Sequence, residues 1–217
     1  MARRIALYAI ACFTAAFVTA ASRPAWGAGV RIVSPLPEQI LPGPDVPVCV
    51  VTEGFQFVPG GCSLHIILDD GPFAVQYDPS HPFLLRDVAP GSHLLRVFVA
   101  DRFHRAIPGT LDMVIFSVGY QDDSNRPARG YPLLTVNLPQ GEYLGVDAGD
   151  VAIDFLVDGA CLSRRGYHVA YYVDGRKFFA YNEGARYLKG LPPGFHTIRF
   201  ELLNEFGELV PGRYNSW

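Results

Sequence analysis

An internal repeat constrains this chain more than any other feature. The run Val88-Ala89-Pro90-Gly91-Ser92-His93-Leu94-Leu95-Arg96-Val97-Phe98 aligns with Leu191-Pro192-Pro193-Gly194-Phe195-His196-Thr197-Ile198-Arg199-Phe200-Glu201 at an offset of 103 residues. The same offset carries residues 103–109 onto 206–212. Upstream, Asp70-Gly71 matches Asp174-Gly175 after a one-residue adjustment, and Ser34-Pro35-Leu36-Pro37 loosely matches Val136-Asn137-Leu138-Pro139. Separated landmarks in one order predict a duplicated module, 31–119 and 131–217, joined by a polar, aperiodic linker at 120–130.

Each copy reads as β-structure. The chain holds 18 prolines and 22 glycines in 217 residues, which works against a helical bundle because proline removes a backbone donor. Strands are expected at Val46 to Thr52, Leu64 to Leu68, His93 to Val99, Met113 to Val118, His168 to Val173 and His196 to Leu202. Asp-Gly after Leu68 and after Val173 marks turns. In the third strand Leu95, Val97 and Val99 should face a core, with Leu94, Arg96 and Phe98 on the other side and Arg96 reaching outward. In the second copy Ile198, Phe200 and Leu202 should point inward, with Arg199 and Glu201 outward. Short strands with frequent turns and no long 3.6-residue period predict an all-β chain of two tandem Ig-like or fibronectin-like β-sandwich domains. After Pro211-Gly212 only five residues remain, so the last strand of the second copy is short or absent. The edge this leaves is a template for another chain unless Tyr214 and Trp217 cover it themselves.

On these landmarks the chain resembles bacterial exported proteins with tandem immunoglobulin-like or fibronectin type III-like modules. The elements carrying the resemblance are Asp174-Gly175, Pro193-Gly194-Phe195-His196 and the stretch 203–212. It is also similar to an uncharacterised family of exported cyanobacterial proteins. The Cys–Trp–Cys core of antibody domains is missing. The resemblance implies a spacer, adhesive or structural role and no reaction.

The N-terminus is set apart from the repeat. Arg3 and Arg4 precede a sixteen-residue apolar run, Ile5 to Ala20. That is short for a membrane span, which needs roughly 20 residues. It has the pattern of a signal peptide over 1–27, with cleavage after Ala20 or Gly27. The alternative is an uncleaved anchor. Loss of 1–27 removes Arg3, Arg4 and Arg23 and no acid, taking the formal charge from −3 to −6. No basic stripe marks a nucleic-acid partner. The expected location is periplasmic or extracellular, with no transmembrane domain once the signal is gone.

The chemistry-bearing residues do not converge on a reaction. Export permits disulfides. Cys49 and Cys62 lie thirteen residues apart, and a hairpin between neighbouring strands would bring them together. Cys161 is left over as a buried thiol or as a partner for another cysteine. The histidines form no metal motif, and His93 and His196 recur in the repeat, which suits a structural role at a strand start. A calcium ion between modules, held by Asp101, Asp122 and Asp123, is a minor alternative. No Gly-x-Ser-x-Gly or phosphate loop is present. No catalytic residue, metal or cofactor is expected. Tyr171, Tyr172, Tyr181 and Tyr187 form a possible interaction surface in the second copy. The leading expectation is therefore a non-enzymatic structural or interaction protein of the envelope, with an envelope protein or a glycan as partner. Second stands a pair of carbohydrate-binding modules using those aromatics, and third an enzyme or subunit of unrecognised type.

Overall fold

The structure is a computed structural model and describes residues 29–217. The expected signal segment and Cys12 lie outside the described residues. The strands of the first half are β1 (Gly29–Ser34), β2 (Ile40–Leu41), β3 (Val46–Glu53), β4 (Ser63–Leu68), β5 (Ala74–Gln76), β6 (Phe83–Leu85), β7 (Gly91–Ala100) and β8 (Asp112–Val118). Those of the second are β9 (Leu133–Leu138), β10 (Asp150–Asp158), β11 (His168–Val173), β12 (Arg176–Ala180), β13 (Arg186–Lys189) and β14 (Ile198–Leu203). The only helical elements among the described residues are two short 3₁₀ turns, Gly145–Gly149 and Arg213–Asn215. No helix there is long and apolar enough to cross a membrane.

The sheets repeat as the sequence does. The first half pairs β1-β3-β6 in one sheet and β2-β8-β7-β4-β5 in another. The second pairs β9-β10-β13 and β12-β11-β14. The registers agree residue by residue. Ile66↔Val97 and Ile67↔Arg96 in β4–β7 become Tyr171↔Phe200 and Tyr172↔Arg199 in β11–β14. Both β1–β3 and β9–β10 carry an irregularity, at Ile32/Ser34 and at Asp154/Phe155. A strand period of two fixes which side chains share a face, so equal register gives each half the same inward set. Val30, Val48, Leu64, Ile66, Leu95, Val97 and Phe116 fill one core, and Leu134, Ile153, Phe155, Val169, Phe200 and Leu202 fill the other.

Where the first half has β8, the second has two residues. Trp217 exchanges both backbone hydrogen bonds with Phe200, at 2.7 and 2.9 Å, and Ser216 bridges to Glu201. The Trp217 ring lies edge-on to Phe200 at 5.7 Å. Trp217 thus covers part of the edge, as expected, whereas Tyr214 turns to the junction between the halves and packs with Leu94 and Leu133. Phe195, further along, stays fully exposed.

One expectation is overturned. Every residue of β7 is buried, and Arg96 is only 4% exposed. The face bearing Leu94, Arg96 and Phe98 packs against the second half instead of meeting solvent. Phe98 and Ile67 touch Leu156, and Leu94 packs with Leu133 and Tyr214. Two alternating apolar sets on one strand mean two buried faces, and the isolated charge of Arg96 hid the second. In β14 the expectation holds, with Arg199 exposed and Phe200 buried.

The cysteine hairpin is also absent. Cys49 sits on β3 and Cys62 just before β4, and these strands belong to different sheets. No disulfide forms among the described cysteines. Crossing between sheets, rather than folding back on a neighbouring strand, removes the geometry the bridge required.

Segment 120–130 joins the halves but is tied down. Asp122 accepts from Ser92 N at 3.2 Å, Arg126 pairs with Glu38, and Asn125 O accepts from the Tyr214 hydroxyl at 2.7 Å. Gly91 opens β7 at φ +125°, and a Cβ there would stand 2.9 Å from Asp122 Oδ2. Glycine is what lets the segment lie so close.

Candidate functional site

Three clusters concentrate the polar chemistry, and the repeat explains the first. His93 Nδ1 donates to Asp69 Oδ2 at 2.7 Å and Nε2 donates to Ala89 O at 2.7 Å. His196 does the same to Asp174 Oδ2 and Pro192 O, both at 2.7 Å. In each copy the other carboxylate oxygen accepts the next backbone N–H, from Leu94 at 2.9 Å and Thr197 at 3.0 Å. Both ring nitrogens face acceptors, so the cationic imidazolium is favoured. The aspartate bond, first among the causes, raises the pKa of each histidine. These are clamps joining a turn to a strand start. Both histidines stand at or just before a strand start, while their aspartate partners lie outside what their recurrence predicted. A second duplicated clamp lies in the next turn. Asp101 Oδ1 accepts from Phe103 N and Arg105 N, as Asn204 Oδ1 does from Phe206 N and Glu208 N. His93 is buried and packs near Phe116 at 5.6 Å, whereas His196 lacks a β8 above it. His93→Ala should cost about 1–3 kcal/mol by orphaning Asp69 and Ala89 O. His196→Ala should shift a urea melt far less, and equal shifts in the two variants would contradict this reading.

The second cluster lies at the junction between the halves. His65 from β4 donates from Nδ1 to Asn137 Oδ1 at 2.8 Å, and its Nε2 accepts from His104 Nδ1 at 3.0 Å. Asn137 uses both amide hydrogens, on His104 O at 2.7 Å and on Asp154 Oδ2 at 2.6 Å. Ala106 N donates to the same Asp154 oxygen at 2.6 Å, while Asp154 Oδ1 is buried without a partner. Phe73 stacks on His65 at 3.9 Å. Burial pushes the His65 pKa down to about 4 and raises that of Asp154. Beside this cluster Arg96 donates to Leu134 O at 3.3 Å, to Thr135 Oγ1 at 3.2 Å and to Asp69 O, and lies 4.8 Å from the Tyr214 ring centre. Arg213–Asp70 and Arg105–Tyr187 bonds, at 2.8 and 3.2 Å, close the rim.

The third is the outer face of the β12-β11-β14 sheet. Val169, Tyr171 and Phe200 point to the core, so His168, Tyr172, Lys177, Phe179, Arg199 and Glu201 share the opposite side. Tyr172 donates to Glu201 Oε2 at 2.7 Å beneath the Arg199 guanidinium, 3.9 Å from its ring centre. Lys177 lies 5.1 Å from the Phe179 ring, and Arg164 lies 4.6 Å from that of Tyr181. Phe179 and Tyr181 stack at 6.2 Å. Tyr171, Tyr172, Tyr181 and Tyr187 therefore do not form one strip. Tyr172 and Tyr181 share this face. Tyr171 turns inward and stacks on Phe178 at 5.3 Å. Tyr187 is on β13 in another sheet, bonded to Arg105. Adjacent strand residues must split between faces, which separates Tyr171 from Tyr172.

Among the described residues no group of three or more His, Cys, Asp or Glu side chains is placed to hold a metal ion. Asp101 is engaged instead by Arg105, at 2.5 Å. Cys161 is exposed, not buried.

No family model matches this sequence, and no curated protein matches it. Among solved structures, there is a weak match to the fibronectin(III)-like modules of CbhA from Clostridium thermocellum. The identity is 14% and the TM-score 0.32, over 84% of this chain and 90% of that one.

Proposed function

We propose that the chain is an exported structural or interaction protein of the cell envelope, built from two β-sandwich units at 31–119 and 131–217 and working without catalysis. The observation that carries this reading is the junction. Arg96, His65, Asn137 and Asp154 are all buried between the halves and bonded across or beside it. Burying that much polarity is costly, and of these four side chains all polar atoms but Arg96 Nε and Asp154 Oδ1 find a partner there. Such a junction sets the two units in one orientation, which suits a rigid spacer presenting a surface at each end. The titratable groups support the same reading, because the histidine–aspartate pairs serve duplicated turns rather than one cleft. Residues 1–27 supply the export signal.

Fractionating cells that make the full chain tests the location. The protein should be recovered with the envelope or outside the cell, and deletion of residues 2–27 should leave it in the cytoplasm. Cytoplasmic recovery of the full chain would overturn the reading.

A further inference from the structure

We infer that the open edge of β14 takes up an extended strand of another protein, which adds to the sheet at the place β8 holds in the first half. This gives the interaction role proposed above a kind of partner, but it rests on the edge and not on where the protein resides.

The repeat supplies the template. In the first half β8 lies between β7 and β2, and its Val114, Phe116 and Val118 complete the core. They stand opposite Leu95, His93 and Gly91. The offset of 103 residues turns those three into Ile198, His196 and Gly194. Trp217 reaches only Phe200, the counterpart of Val97, which stands opposite Asp112 at the start of β8. Beyond that pair β14 is the outermost strand of its sheet.

The missing strand leaves its mark on both sides of its place. β7 begins at Gly91, whereas β14 begins only at Ile198, past Gly194. Gly91, His93 and Leu95 are buried, whereas Gly194 is exposed and His196 and Ile198 are half-buried. On the far side of β8, Glu38 N donates to Ile115 O at 2.7 Å and Ser117 N donates to Gln39 O at 2.8 Å. The matching connection between β9 and β10 holds no strand and leaves Leu144 and Val146 68% and 91% exposed. Both neighbours of β8 thus recur without it. Phe200 turns its N–H and C=O to Trp217, and a strand period of two turns those of Ile198 and His196 toward the same open side. Such an edge recruits a strand, with main-chain bonds giving affinity and alternate side chains giving specificity. The chemistry of the occupant follows from β8. It runs antiparallel to β14 from the Trp217 end, with an apolar residue opposite Ile198 and, two positions on, an aromatic one opposite His196. Phe116 lies over His93 in that way, at 5.6 Å between ring centres.

A fluorescein-labelled peptide copying residues 112–119, mixed with the purified full chain, tests this. Fluorescence anisotropy should show saturable binding, at least about tenfold weaker for the peptide carrying Phe116→Asp. Hydrogen exchange should be fast at the His196 and Ile198 amides at every protein concentration. It should slow there when the peptide is added, while the amides of β12, the opposite edge of the sheet, stay as they were. Ile198→Pro removes one of those N–H donors from the edge and should bind the peptide at least about tenfold more weakly. Should that variant melt earlier than wild type, the Phe116→Asp peptide and the exchange pattern decide the matter on the wild-type chain. Absent binding, equal binding of the two peptides, protection away from β14, or undiminished binding by an Ile198→Pro chain that melts as wild type does would overturn the inference. So would protection that grows with protein concentration before any peptide is added, since a second copy would then hold the edge. Every outcome is read on purified protein, so none of them bears on the cellular location that fractionation tests.

Discussion

Arg96→Ala is expected to destabilise the chain by about 3 kcal/mol, while Arg199→Ala at the equivalent position should change stability by less than about 0.5 kcal/mol. The two arginines occupy the same place in the repeat and differ in what lies above them. Arg96 is sealed between the halves, where it satisfies Asp69 O, Leu134 O and Thr135 Oγ1 and lies against Tyr214. Truncating it orphans those acceptors and opens a void, and both effects are costly where the site cannot collapse. Arg199 is half-exposed and pairs with Glu201 on the surface, where water replaces what is lost. Urea denaturation of the two variants beside wild type decides the matter. Arg96→Met, which keeps the stem, should recover part of the loss. Equal losses at the two positions would mean that Arg96 does not hold the junction.

Acidification from neutral pH toward pH 4 should weaken the chain through His65 by about 3 kcal/mol. The His65 pKa falls from 6.5 to about 4 on folding, with burial the largest cause. Between those values the unfolded chain binds the extra proton and the folded chain does not. Unfolding therefore becomes easier as pH falls through that window, and the stability is complete only above pH 6.5. Asp154 opposes this. Its raised pKa means that the folded state takes up a proton first on the acid side, so its protonation favours the fold as pH falls. Asp101 and Arg105 also act on this cluster. His93 contributes with the other sign, since its raised pKa gives stability that is present below 6.5 and lost as pH rises through its folded value. Asp154→Asn removes the opposing group, so its stability should fall more steeply between pH 6.5 and 4 than that of wild type. A flat profile in that variant would rule out a buried neutral His65.

Much of the fold was legible because β-structure writes its period into the chain. The alternation in His93 to Val99 and His196 to Leu202 located β7 and β14, and the Asp-Gly and Pro-Gly pairs located the turns between strands. The candidate sites were less legible. Tyr171, Tyr172, Tyr181 and Tyr187 are close in sequence, but a strand sends neighbours to opposite faces and β13 belongs to another sheet. The junction cluster drew on His65, His104, Asn137 and Asp154, which are up to 89 residues apart. No local pattern links them. One hint was present: Phe98 and Leu94 beside Arg96 made that side of β7 too apolar for a solvent face.

Residue spacing alone was enough for the repeat, for six of the fourteen strands and for the inward residues of β7 and β14, because these follow from how side chains alternate along one strand. What becomes of the other face was set by how the two halves pack. Arg96 and Arg199 sit in nearly the same local sequence, yet one is buried and the other is exposed. The difference lies in the partner surface that segment 120–130 carries onto the first half and not onto the second. Burial depends on which distant surface arrives, and the period of a strand does not encode that.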